Sequence, residues 1–376
     1  MTTKYCPRIY HGLTLNSISD SALSYAVCCW ANADVKNETA IDFHHLNFQQ
    51  LRKQNASNQL PYDYCKTCIE QEKASKQSMR QGYQILHGEP TYEPKIYYLD
   101  INIDMTCNLA CITCGPELST TWRKELKIKG SKVRPNLDQF ISEQLDLLDL
   151  SELKEIRLWG GEPFLTKTHI RLLEYVYNLG IAKQVRIMYN TNGTVRISND
   201  VKEIIEKFKF ARISFSIDAI GSKFEYIRYP AKWEQVESNL LWWKNNLPHN
   251  SMLSITATVS ILNVLDLNEL FEWYQKNFSN SVFGDPIEIL PHQAFGEFGL
   301  EYMSESMKTH LLSMTNYCQP WIQQLESLSS KSSHLGDTLL KLQIMDHRRG
   351  LDFSDISPKS ADLLGYSKSI LATSGM

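Results

Sequence analysis

From Lys95 onward the chain alternates short, apolar, β-rich runs with longer amphipathic ones, and few folds accommodate that alternation. Strand candidates are Ile96–Ile103, Glu155–Trp159, Gln184–Tyr189, Arg212–Ile217, Leu253–Ser260 and Pro286–Leu290. Between them lie helical patterns at Asp138–Leu148, Thr168–Asn178, Asp200–Lys207, Trp233–Asn246 and Asp266–Asn277. Strands interleaved with helices of this length form βαβ units and a parallel sheet. Six of them with right-handed crossovers make a partial (β/α)6 barrel of the TIM type, or a strongly curled sheet. The expected class is therefore α/β, with the barrel over 95–290. Residues 1–94 lack the rhythm and form an N-terminal module. Residues 291–376 form a C-terminal extension near the barrel mouth.

The unusual residues cluster where the strands end. Three cysteines, in "MTCNLACITCGP", follow the first strand. "GGEP" (Gly160–Pro163) follows the second, and "NTNG" (Asn190–Gly193) the third. "SID" (Ser216–Asp218) ends the fourth, and Asn263 follows the fifth. Parallel α/β folds build their sites at the carboxyl ends of strands, so these segments converge on one rim.

The cysteine loop supplies three thiols, Cys107, Cys111 and Cys114, with no histidine near them in sequence. Structural zinc takes four closed ligands, commonly as two pairs. A [4Fe–4S] cube has four irons, each needing an external ligand. Three thiolates leave one iron open, and an open metal position can chelate a small molecule. A zinc site completed by a distant residue is the alternative. The chain has nine cysteines, and "MTTKYCPRIYHG" at its start has no apolar core of signal-peptide length, so a cytoplasmic protein with reduced thiols is expected. Clustered thiols in that compartment point to metal. Net charge is −3, which implies no broad basic surface for nucleic acid, and no run is long enough to span a membrane.

Cys107-x3-Cys111-x2-Cys114 after a first strand, with GGEP after the second, resembles the radical S-adenosylmethionine (SAM) enzymes. The resemblance implies a [4Fe–4S] cluster whose open iron binds the amino and carboxylate groups of SAM. It implies one-electron cleavage of the sulfonium to a 5′-deoxyadenosyl radical that takes a substrate hydrogen, with flavodoxin or ferredoxin as electron donor. Gly160, Gly161, Glu162 and Pro163 match the motif that holds the methionyl amino group. Thr191, Asn192 and Gly193, with Ser216 and Asp218, fall where the family contacts the ribose. Arg228 and Asn263 fall where related enzymes hold the SAM carboxylate, a group that suits a guanidinium fork. The residue before the third cysteine is commonly large or aromatic in the family; here it is Thr113.

Four further thiols stand upstream: Cys6, Cys28, Cys65 and Cys68, with Cys29 adjacent to the second. Four ligands close either a zinc site or a second cluster. "YCKTCIEQEKASKQSMRQGY" is similar to a Twitch-type region, a shortened relative of the SPASM domain, which implies an auxiliary [4Fe–4S] cluster. Cys28 rather than Cys29 is the expected ligand. Cys318 reads as a lone buried thiol, His292 as a loop residue at the substrate end of the barrel, and His44–His45 as surface. Trp242, Trp243, Trp273 and Tyr274 lie at helical spacing and read as packing. The expected substrate is a genetically encoded peptide, because SPASM and Twitch enzymes often mature peptides. Oxidation or rearrangement of a small metabolite is the second reading, and a non-catalytic metal-binding module the third.

Overall fold

The computed structural model describes all residues except 1–3, 20–21, 31–34, 39, 74–76, 103–104, 130–142, 279–288, 294–296, 315–330 and 368–376. Among the described residues nine strands form one sheet. They are β1 (Gly12–Ser19), β2 (Ala22–Ala26), β3 (Val35–Glu38), β4 (Tyr98–Asn102), β5 (Glu155–Trp159), β6 (Arg186–Thr191), β7 (Phe210–Ser216), β8 (Ser251–Val259) and β9 (Ile289–Gln293). Their order across the sheet is β3-β2-β1-β4-β5-β6-β7-β8-β9.

β4 to β9 run parallel and in sequence order, the topology of a partial (β/α)6 barrel. Each expected strand is met by a described one: Glu155–Trp159 has the expected bounds, and the ends of the others differ by a few residues. The expected run Pro286–Leu290 lies partly outside the described residues, and the strand described there is Ile289–Gln293. The helices Thr168–Asn178 and Trp233–Asn246 have the expected bounds. The expected helix Asp138–Leu148 lies partly outside the described residues, and its described end is a 3₁₀ turn at Leu145–Leu147.

The side-chain period of two gives the barrel strands distinct faces. Ile101, Leu158, Tyr189, Ile213 and Leu253 are in register across β4 to β8 and are buried beneath the helices. Thr168–Asn178 covers this face with His169, Ile170, Leu172, Leu173 and Val176, an apolar stripe at helical spacing. On the opposite face the charged Asp100, Arg157 and Arg212 stand in register with Met188 across β4 to β7.

Residues 1–94 contribute more than a flank. β1 pairs in parallel with β4, and β2 and β3 continue the sheet antiparallel. The pairing is held by a buried ion pair, Arg8 Nη2 to Asp100 Oδ2 at 2.5 Å, with Thr14 Oγ1 donating to the same oxygen at 3.0 Å. Arg8 lies beside the Tyr83 and Tyr98 rings, its carbon 5.4 and 5.6 Å from their centroids. At the other end of the chain, the helices Leu335–Arg349 and Phe353–Ile356 meet the barrel helix Gly221–Ile227, and Pro358–Leu364 packs on Phe353–Ile356. There Asp346 accepts from Tyr226 Oη and Tyr366 Oη, and Tyr226 stacks on Phe353. No helix among the described residues is long and apolar enough to cross a membrane.

Candidate metal and cofactor site

The loop that follows β4 turns back sharply, and backbone contacts fix its course. Glu162 N donates to Thr106 O at 2.7 Å. Gly161 must be glycine: a Cβ there would stand 2.2 Å from Thr106 O and 2.6 Å from its carbonyl carbon. The loop after β5 is thus seated directly on the loop after β4. On the far side, Ala110 N donates to Tyr229 O at 2.6 Å and Ile112 N to Ile227 O at 2.8 Å. Within the loop's own continuation, Ser119 Oγ donates to Leu109 O and Trp122 Nε1 to Cys111 O.

These contacts present three thiols to the same rim. Cys111 is buried, Cys107 half-buried and Cys114 exposed. Asn192 Nδ2 lies 3.9 Å from Cys107 Sγ, and Arg228 Nη1 lies 4.0 Å from Cys111 Sγ. Burial pushes the Cys107 thiol up to about 11 and the Cys111 thiol up to about 12, the latter against the pull of Arg228. Metal-free, the loop holds protonated thiols, and metal must displace those protons to bind. Among the described residues no three His, Cys, Asp or Glu side chains are gathered tightly enough to hold a single ion. A zinc ion draws its thiolates to about 2.3 Å from one point. Ligands to a cube sit on separate irons. A donor set of three thiols on one loop, with an amide N–H and a guanidinium near two of the sulfurs, fits a [4Fe–4S] cluster.

The loops after β5 and β6 are locked together through Glu162, which is 1% exposed. Its Oε1 accepts from Thr191 Oγ1 at 2.8 Å and Phe164 N at 3.1 Å, and its Oε2 accepts from Asn192 N at 2.6 Å. Burial pushes the Glu162 carboxyl up to about 7, even though these donors favour the charged form. Pro163 opens a 3₁₀ turn at Pro163–Leu165. Gly193 takes φ +75, and a Cβ on it would press within 3.1 Å of the Phe215 ring. Asn192 Nδ2 also donates to Asn108 Oδ1, and Asn108 Nδ2 to Thr194 Oγ1, so a carboxamide network ties the NTNG loop to the cysteine loop.

A second lock joins the ends of β7 and β8. Arg228 closes its fork on Asp218, with Nε to Oδ2 at 2.7 Å and Nη2 to Oδ1 at 3.0 Å. Both side chains are buried, and Asp218 Oδ1 also accepts from Thr258 N at 2.7 Å. Asn263 donates to Asp218 O and Thr258 O and accepts from Ser260 N. Arg228 Nη1 remains directed toward Cys111. Ser216 is half-buried at the end of β7. GGEP and NTNG form one hydrogen-bonded network and Asp218, Arg228 and Asn263 another, and the two make a collar that meets the cysteine loop through Asn192 and through Arg228. Asn108, Thr194, Trp122 and Thr258 belong to it as well. Sequence reasoning passed over them, although Asn108 and Thr194 flank motifs it had singled out.

The upstream thiols meet in a second place. Cys6, Cys28, Cys65 and Cys68 line one concavity with Ile9, Trp30, Tyr64, Thr67 and Arg80. Cys65 and Cys68 share one face of the helix Tyr62–Lys73. Cys29 is absent from that lining; its free thiol is hydrogen-bonded with that of Cys28 and lies near Asp100 and Arg8. Three side-chain bridges hold the segments together: Val27 N to Tyr64 Oη, Arg80 Nη1 to Tyr5 O, and Arg80 Nη2 to Glu72 Oε2. His292 lies on β9, opposite Thr258 in the register, and Cys318 falls outside the described residues. Trp243 and Tyr274 are buried packing residues, as their spacing implied.

Residues 101–273 match the radical SAM superfamily. The chain is 28% identical over 137 residues to the GTP 3′,8-cyclase of Syntrophomonas wolfei, covering 36% of this chain and 39% of that protein. It is 25% identical over 207 residues to the enzyme of the same name from Alkaliphilus metalliredigens, covering 53% of this chain and 56% of the relative. The chain thus spans between about two-fifths and just over half the length of these curated relatives. Among solved structures it resembles anSMEcpe with bound AdoMet, at 15% identity and a TM-score of 0.39, covering 56% of this chain and 55% of that one. The matched residues take in β5 to β8, the loop that carries Cys107, Cys111 and Cys114, and the GGEP and NTNG loops.

Proposed function

We propose that this protein is an enzyme that binds SAM at a [4Fe–4S] cluster held by Cys107, Cys111 and Cys114 and removes a hydrogen atom from an organic substrate. The cysteine loop, seated on Gly161 and collared by Glu162, Asn192 and Arg228, is the observation that carries this reading. Once bound, the cluster and SAM supply a carbon-centred radical for hydrogen abstraction. The protein's own residues hold and shield. Glu162 offers a buried carboxyl at the rim, with Gly160 and Gly161 leaving room for close approach. Asp218 keeps the Arg228 fork in one orientation, and Asn263 fixes the backbone behind it.

The concavity lined by Cys6, Cys28, Cys65 and Cys68 would hold a second, auxiliary [4Fe–4S] cluster, with Cys29 left out of the ligand set. Electrons would come from a small donor protein such as flavodoxin or ferredoxin. A peptide is the first substrate reading, supported by the Twitch-like composition of the segment that carries Cys65 and Cys68. A nucleotide-like metabolite is the second, favoured by the curated relatives named as GTP 3′,8-cyclases. The test is anaerobic reconstitution, reduction, and measurement of 5′-deoxyadenosine with deuterated candidate peptides and with GTP. Deuterium carried into 5′-deoxyadenosine from one class identifies the substrate. No 5′-deoxyadenosine with any of them, and no change of the cluster spectrum on adding SAM, would refute the proposal.

A further inference from the structure

Ala110 lies between Cys107 and Cys111, and both of its backbone groups are held from outside the loop. Its N–H goes to Tyr229 O. Its carbonyl accepts from Arg349 Nη2 at 2.8 Å, across 239 residues of chain. Arg349 is the last residue of the helix Leu335–Arg349, which Gly350 ends in a left-handed turn at φ +65. The side chain is 2% exposed, and its plane lies between the Trp122 ring at 4.7 Å and the Tyr229 ring at 4.6 Å. Trp122 is the residue whose indole N–H holds Cys111 O, and Tyr229 the one whose carbonyl holds Ala110 N. One guanidinium thus supports three of the anchors that set the course of the chain into Cys111.

The charge of Arg349 is met locally. Glu125 accepts from Nε at 3.2 and 3.3 Å and from Nη2 at 3.2 Å. What remains distinctive is shape: a rigid fork that reaches a carboxylate and a carbonyl together while stacked between two rings, which a lysine cannot reproduce. The helix carrying it is pinned one turn earlier, where Asp346 accepts from Tyr226, Tyr366 and Phe353 N.

We propose that Arg349 is a positioning residue for the cysteine loop. Through it the C-terminal helix fixes the Ala110 carbonyl and the direction of the Cys111 thiol before metal binds. The inference deepens the proposed function, since it concerns the same loop, but it is testable in metal-free protein. Full-length wild type, R349K and R349Q are alkylated with iodoacetamide at one pH, and each thiol is followed by peptide mass spectrometry. Cys114 is exposed, whereas Cys111 and Cys6 are buried. The expected result is alkylation of Cys111 about tenfold faster in both variants, the size expected for one lost charge-assisted hydrogen bond. Cys114 and Cys6 should be unchanged. Unchanged Cys111 protection in R349K would overturn the proposal. An equal rise at Cys6 would mean opening of the whole fold and would overturn it too. If R349Q fails to fold, E125Q/R349Q, which strands no buried charge, repeats the comparison with the same expected result. In reconstituted protein, a chelator should strip iron from R349K about tenfold faster than from wild type. A failure of the SAM chemistry itself would appear in wild type and leave the alkylation result standing.

Discussion

The two thiol sets are built by opposite strategies. Cys107, Cys111 and Cys114 lie within eight residues of one another on one loop, and the barrel's own backbone grips that loop from both sides. Cys6, Cys28, Cys65 and Cys68 come from three segments of the first 68 residues, joined by side chains: Tyr64, Arg80, Glu72 and Asn55. Loop closure over longer segments costs more chain entropy, so the dispersed set depends on its bridges, whereas the compact set depends on close packing. A loop that must leave one metal position open needs rigid support from its neighbours. A four-thiol set would close its own coordination and can be assembled from whatever segments the sheet brings together.

The largest separation of the two sets should come from removing one thiol of each. C107A should lose about four of about eight irons per chain, all 5′-deoxyadenosine formation and the spectral response to SAM. C28A should lose the other four and keep the SAM response. C29A should keep all eight. Iron analysis and absorption spectra of anaerobically reconstituted protein decide this, and a C28A protein with full iron would remove Cys28 from the ligand set. Next in size is the collar. R228Q strands Asp218, which is buried, and should destabilise the fold by about 3–5 kcal/mol in urea unfolding. D218N/R228Q should recover much of that loss without recovering SAM binding. Equal SAM binding in wild type and the double variant would make the lock purely structural. Smaller again is G161A, whose methyl would meet Thr106 backbone and not a movable side chain. We expect a loss of about 3 kcal/mol, with faster iron loss from the loop and no effect on the N-terminal set. Unchanged stability would mean that the two loops are not packed together.

The barrel and its rim were legible in the sequence because their signals are local. Strand period, helix period and motif spacing act over a few residues, and the strand-end rule gathers them into one place. Thr168–Asn178 and Trp233–Asn246 could be bounded correctly because each carries apolar residues at helical spacing, Leu172, Leu173 and Val176 in the first and Val236, Leu240 and Trp243 in the second. β1 was not legible. Its pattern, Leu13-Thr14-Leu15, is buried on both faces, and the polar Thr14 is explained only by Asp100, 86 residues away. Arg349 shows the same limit more strongly: in sequence it is one of several basic residues ending a helix, and its meaning lies in Ala110, Trp122 and Tyr229. Choosing Cys28 over Cys29 required knowing which way each side chain leaves a turn. Adjacency alone says only that the two differ.

The smallest expected effect compares the two regions by pH. His11 sits behind the N-terminal set, stacked on His87 and Tyr97, with its ring nitrogens against Thr91 O and Lys95 O. His169 sits under the barrel, with Nδ1 bonded to Tyr189 Oη at 2.6 Å. Burial holds each at about 4, below the ordinary histidine value near 6.5. Because the folded value is the lower one, the unfolded chain takes up a proton first as pH falls. Stability from each site is complete above about 6.5 and is lost progressively down to about 4, at up to about 1.4 kcal/mol per pH unit. Urea unfolding of the metal-free protein between pH 7.5 and pH 4.5 should follow that slope, and H169Q and H11Q should each flatten it by about the same amount. If only H169Q flattens it, His11 has the same proton affinity folded and unfolded, its two carbonyl contacts offset burial, and the two regions are not backed alike.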